Sequence, residues 1–284
     1  MGRRLQGYRS TMIKELLAFS ALAGCAALAA AAASEKPATA EYTVRSGKIG
    51  TKIRILQLSD LHSSAYGERE KNLIGQIDSL CPDAIMLTGD IADNRVPNAN
   101  AYALAEYIGK KYRCFYVEGN HEVYTGRAAE IKSRFRSYGF TVLEGSQSEL
   151  AVGKEVITVC GIDDPYGSPD AEGRMWEEQL SDCSAFSGGS SFSILLTHRP
   201  ELVEFYKETG FDLILAGHAH GGQVILPGIL NGLYAPHQGW FPKYAGGRYD
   251  LGGKTMIVSR GLSKYVKPRI FNRPELVIVN IVPE

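Results

Sequence analysis

The sequence predicts an α/β fold, a sheet covered by helices. Short β-branched apolar runs alternate with longer segments whose apolar residues recur at helical spacing. In addition, turns carrying Asp, Asn or His beside these runs are spaced along the whole chain, as expected where strand ends present a site.

The elements follow in order. Ile53–Leu58 is a short apolar run that stops at Ser59-Asp60, and reads as a strand. The spacing of Leu73, Ile74, Ile77 and Leu80 predicts a helix over 70–80. Residues 84–87 are the next strand, ending at Gly89-Asp90, and 99–109 the next helix. A third strand over 114–117 ends at Gly119-Asn120-His121, before a helix over 128–138. The second half is richer in strands. Segments 149–152 and 155–159 flank Gly153-Lys154, a hairpin turn. Strands over 192–196 and 213–215 enclose a helix-like 201–209, and 255–258 and 276–281 close the sheet. No internal repeat is present.

The 284 residues suffice for one large domain or two small ones, and 44% apolar content supports a sizeable core. Acidic and basic residues balance to a net charge of zero, which argues against a nucleic-acid partner. Cys25, Cys81, Cys114, Cys160 and Cys183 show no CxxC spacing, so no structural zinc site is expected. Cys114 and Cys160 sit in strand-like runs as buried thiols, and the spacing does not require a disulfide.

The amino terminus differs in character. Arg3, Arg4, Arg9 and Lys14 precede a mostly alanine and leucine run over 16–33, the pattern of an export signal or membrane anchor. Three outcomes remain open: cleavage near Ala31-Ala32-Ala33, lipidation at Cys25 after Leu22-Ala23-Gly24, or retention as an anchor. Each puts the rest of the chain on the external face of the cytoplasmic membrane. The expected organisation is a signal or anchor over 1–33, a small, polar, proline-containing linker over 34–46, and a catalytic domain over 47–284.

Five turns carry the chemistry: Asp60-Leu61-His62, Gly89-Asp90, Gly119-Asn120-His121-Glu122, Thr197-His198-Arg199 and Gly217-His218-Ala219-His220. Residues i and i+2 of an extended stretch face one way, so Asp60 with His62, and His218 with His220, can enter one cleft. Carboxylate, imidazole and amide donors suit Mn, Fe, Zn or Co better than calcium. A pair of such cations, bridged by a carboxylate, activates water and clamps phosphoryl oxygens.

Asp-x-His, Gly-Asp, Gly-Asn-His-Glu, an isolated His and Gly-His-x-His, in that order, resemble the signature of the calcineurin-like metallophosphoesterases. Five of the six histidines fall within it. The resemblance implies a two-sheet β-sandwich flanked by helices, a four-layer αββα arrangement. It also implies two divalent metal ions, one held by Asp60, His62, Asp90 and His220. The other would be held by Asp90, Asn120, His198 and His218, with Asp90 bridging and His121 beside the phosphate as a non-ligand catalytic residue. The expected reaction is hydrolysis of a phosphate ester or pyrophosphate. The alternative is a module that only binds a phosphorylated ligand through its metals.

Gly221-Gly222-Gln223 after the last motif, Ser259-Arg260-Gly261-Leu262 and Asn272-Arg273-Pro274-Glu275-Leu276 resemble a membrane-associated bacterial branch of that family. Some members of the branch cleave UDP-2,3-diacylglucosamine, so the expected substrate is a phosphorylated small molecule or lipid-linked compound. The segment 233–248 is aromatic and basic, and His237, Trp240, Lys243 and Arg248 are candidate substrate-binding residues.

Overall fold

The computed structural model describes residues 34–165 and 176–284. The predicted signal or anchor over 1–33 lies outside the described residues. The strands are β1 (Ala38–Arg45), β2 (Ile53–Leu58), β3 (Ala84–Thr88), β4 (Arg113–Val117), β5 (Thr141–Val142), β6 (Ser146–Val152) and β7 (Glu155–Gly161). They continue with β8 (Ser193–Leu196), β9 (Leu213–Ala216), the short β10 (Tyr234–Ala235) and β11 (Gly239–Trp240), β12 (Gly247–Asp250), β13 (Thr255–Val258) and β14 (Glu275–Val282).

Two six-stranded sheets form, in the orders β1-β14-β2-β3-β4-β5 and β12-β13-β9-β8-β7-β6. Alternation along each strand explains why they stack. In β2, Ile53 and Ile55 face the partner sheet, where they meet Val159, Leu196 and Leu215. Leu56 and Leu58 face the other way, onto Leu73, Ile77, Leu104 and Ile108 of the helices Lys71–Leu80 and Ala99–Lys111. The second sheet behaves alike: Leu195 and Ile214 turn outward against Cys183, Val203 and Tyr206. Burial on both faces is why these strands read as continuous apolar runs. The result is the four-layer αββα sandwich that the resemblance implied.

β2, β3 and β4 are parallel, as are β7, β8, β9 and β13. Their carboxyl ends meet at one edge, where Gln57 at the end of β2 donates to the Ala216 carbonyl at the end of β9 (2.8 Å).

One expectation is corrected. The supposed linker over 34–46 contains β1, paired in parallel with β14 from Ala38↔Glu275 to Arg45↔Val282. Its sequence, ATAEYTVR, buries fully only Val44, so an edge strand carries the composition of a linker. Deleting residues 1–46 is therefore expected to destabilise the domain by about 3 kcal/mol or more, through lost burial of Val44 and Tyr42. Deleting 1–33 leaves β1 in place. Thermal unfolding of the two truncated chains measures the difference; equal midpoints would refute it. The helix Trp176–Ser184 and strand β12 were also not anticipated.

Candidate active site

Each of the five predicted turns lies at the carboxyl end of a strand on the shared edge: β2, β3, β4, β8 and β9. The backbone there is tightly constrained. Asp60, His62, Asp90, His218 and His220 all adopt positive φ, between 47° and 67°. Non-glycine residues avoid this region, and such strain gathers where geometry serves a site. Gly89 (φ 86°) makes the turn possible, because a Cβ there would lie 2.6 Å from His198 Nδ1 and 2.7 Å from the Gly119 nitrogen. A Cβ on Gly119 would likewise strike the Asp90 carboxylate.

Among the described residues, two groups of side chains share Asp90. Asp60, His62, Asp90 and His220 offer donor atoms within 4.8 Å of one another, and so do Asp90, His198 and His218. Asp90 belongs to both. Its Oδ2 lies 3.6 Å from His62 Nε2 and 3.2 Å from His198 Nε2, while His198 Nε2 is 3.2 Å from His218 Nδ1. His220 Nε2 is 3.7 Å from Asp60 Oδ1. Asn120 is buried, next to Gly119, whose backbone packs on Asp90. Asp90 Oδ2, His62 Nε2 and Asn120 Oδ1 are buried without a hydrogen-bond partner among the described residues. Orphaned acceptors of this kind call for a cation, and the donor set suits a divalent one. The residues present therefore fit the metals implied by the sequence.

Several supporting residues escaped the sequence reading. Asp93 Oδ2 lies 2.7 Å from His62 Nδ1 and 3.1 Å from His121 Nδ1. It fixes the His62 ring with Nε2 toward the cluster, as carboxylates behind ligating imidazoles do. Its signal was an acid three residues after Gly89-Asp90. Glu122, fully buried, accepts from the backbone nitrogens of Asp90, Ile91, Ala92 and Gly119, and so clamps the β3 turn to the β4 turn. Arg199 is buried and bidentate on Asp164 (2.5 and 3.0 Å). Asn272 donates to the His220 carbonyl (2.7 Å).

The charges are arranged unevenly. Burial opposes charge on His198, yet Asp90, together with Asp60 and Asp164, outweighs it and pushes the imidazole up to about 10. Burial likewise works against the Asp90 carboxylate, but His198 and His62 hold it well below the usual range. Asp60 is pushed up by burial and by Asp90. Burial, then neighbouring cationic groups, holds His218 and His220 well down, which favours the neutral imidazole that binds metals.

The predicted substrate-binding residues divide. His237 joins the cluster: its Nδ1 is 2.9 Å from His218 Nε2 and 2.7 Å from Arg199 Nη1. Trp240 is exposed and stacks edge-on with Tyr234. Lys243 is exposed over the Tyr244 ring. Arg248 lies apart from the cluster: it donates to the Thr43 carbonyl and the Thr255 hydroxyl, tying β12 to β1. As an edge-strand arginine it bridges the sheets instead of facing the site.

Fold and site together define a hydrolase-like sandwich with a His/Asp cation site at one sheet edge. The chain belongs to the calcineurin-like phosphoesterase family, whose model matches residues 53–222. It is 32% identical over 254 residues to the Bacillus subtilis metallophosphoesterase YkuE, covering 86% of this chain and 85% of that protein. The Escherichia coli phosphodiesterase YaeI is 28% identical over 241 residues, covering 81% and 82%. Among solved structures, the Haemophilus influenzae NAD nucleotidase NadN superposes with a TM-score of 0.50 at 14% identity. That match covers 75% of this chain and 46% of NadN, and speaks to the fold alone. By family, the chain is a metal-dependent phosphoester hydrolase.

Proposed function

We propose that the protein is a dinuclear phosphodiesterase acting on a phosphorylated small molecule or lipid-linked substrate. The observation that carries this reading is Asp90 Oδ2, common to both donor groups. Asp60, His62, Asp90 and His220 would hold one cation, and Asp90, Asn120, His198 and His218 the other. Bound there, divalent cations supply water activation and neutralise phosphoryl charge. His121 stands at the rim, 17% exposed, with its ring edge-on to His62 at 4.3 Å. Contact of its Nδ1 with Asp93 directs Nε2 outward, where it would donate to the leaving oxygen. The phosphodiesterase name of the Escherichia coli relative favours diesters over monoesters.

Protein stripped of metal and reloaded with Mn, Fe, Zn or Co is expected to bind two equivalents and turn over a nitrophenyl phosphodiester. Chelation should remove at least about 1,000-fold of the rate. Turnover surviving complete demetallation would refute the proposal. A panel of diesters, nucleotide sugars and lipid pyrophosphates, including UDP-2,3-diacylglucosamine, then ranks substrates by kcat/KM.

The place of action is the external face of the cytoplasmic membrane. The basic flank before the apolar run over 16–33 supports this. No helix of the described residues is long and apolar enough to cross a membrane, so tethering would rest on the preceding segment. Protease added to intact spheroplasts is expected to digest the domain; full protection would overturn the assignment.

A further inference from the structure

We propose that the edge bearing the site docks flat onto an anionic bilayer surface, through two loops beside the point where the chain enters the domain. The inference rests on the membrane tethering proposed above. β1 is parallel to β14, and β14 is antiparallel to β2, so β1 begins at the edge where β2 ends and the site lies. The Ala38 nitrogen bonds to the Pro274 carbonyl, and Asn272, two residues earlier, holds the His220 carbonyl. A tether ending before Ala38 therefore delivers the site edge, not the far edge, to the membrane.

What surrounds that point suits a bilayer. A cleft of about 620 Å³ links Ala38 to Ile225, Ile229 and Arg273, and a second joins Lys36 and Pro37 to Tyr66 and Lys264. The two loops, 223–243 and 259–273, are joined by the Ile225–Ile270 and Ile270–Gln223 backbone bonds. They carry exposed apolar side chains at Leu226, Ile229 (85% exposed), Trp240, Phe241, Tyr265 and Ile270. Soluble surfaces scatter such residues singly; gathered at one edge they mark an interaction surface.

Charge selects the partner. The two loops hold six basic residues, Lys243, Arg260, Lys264, Lys267, Arg269 and Arg273, and no acid, in a chain of zero net charge. Arg260 is paired with Glu275, Lys267 with Glu35, and Arg269 donates to the Asn272, Arg260 and Gly261 carbonyls, so Lys243, Lys264 and Arg273 supply most of the cationic surface. Exposed apolar tips amid basic residues are the composition of an interfacial membrane contact, with lysine and arginine drawn to anionic headgroups. Docked this way, the cation site faces the headgroup plane, and phosphoesters of membrane-bound molecules reach it without leaving the bilayer.

The test uses the full chain in vesicles of phosphatidylcholine with phosphatidylglycerol. An environment-sensitive fluorescent amino acid replaces Ile229 or, as a control, Val156, which is exposed near the Gly153 turn at the opposite edge. Flotation reports attachment. The expected result is a floating protein whose probe at 229 shifts to the blue and is quenched by brominated acyl chains, while the probe at 156 stays aqueous. If the protein floats with both probes aqueous, docking is overturned and tethering stands. If it does not float, both readings fall. Equal burial of the 229 probe in phosphatidylcholine alone would overturn the role of charge.

Discussion

Replacing Asp90 with asparagine is expected to lower kcat by about 1,000-fold or more and to reduce bound metal below two equivalents. The side chain keeps its shape, so the effect isolates charge. Asp90 Oδ2 lies within reach of both His62 Nε2 (3.6 Å) and His198 Nε2 (3.2 Å), and two cations close together need an anionic oxygen between them. The change should also uncouple stability from metal. Cations that bind only the folded chain raise its melting temperature by mass action. Wild-type protein should therefore lose stability on chelation, and the Asp90→Asn variant should lose much less. Metal analysis and thermal unfolding with and without chelator read this directly. A variant that retains two equivalents and the wild-type chelator shift would show that Asp90 does not bridge.

Much of the site was legible because its chemistry is local. Asp60-x-His62, Gly89-Asp90, Gly119-Asn120-His121 and Gly217-His218-x-His220 each sit within one turn, and each turn ends an apolar strand. The strands were legible for the same reason: burial on both faces writes them as unbroken apolar runs. What escaped reading depends on contacts between distant segments. The role of Arg199 has no sequence mark, because its partner Asp164 lies 35 residues earlier. Glu122 was part of a recognised motif, but its clamp on the turn after β3 spans about thirty residues and has no sequence mark. β1 was missed because an edge strand needs only one buried residue, here Val44. Arg248 was assigned to the site from composition alone. Its register on β12, opposite Ile257, places it instead where it can reach β1.

Replacing His121 with alanine should have the second-largest effect, and a different character. No change in metal content is expected, because His121 contributes no atom to either donor group that shares Asp90. Its backbone nitrogen, which donates to Asp90 Oδ1 at 2.8 Å, survives the substitution, so the turn after β4 stays in place. What disappears is an imidazole backed by Asp93 and poised at the rim. A positioned proton donor contributes about 100- to 10,000-fold when the leaving group is a poor one. The loss should therefore be large for an alkyl phosphodiester, whose alkoxide needs a proton. It should be much smaller for a nitrophenyl ester, whose phenolate leaves readily without one. Parallel kcat/KM measurements on the two substrates, with metal analysis of the same samples, separate this role from a structural one. Equal losses on both substrates would remove His121 from the leaving-group step, and an emptied site would make it a ligand instead.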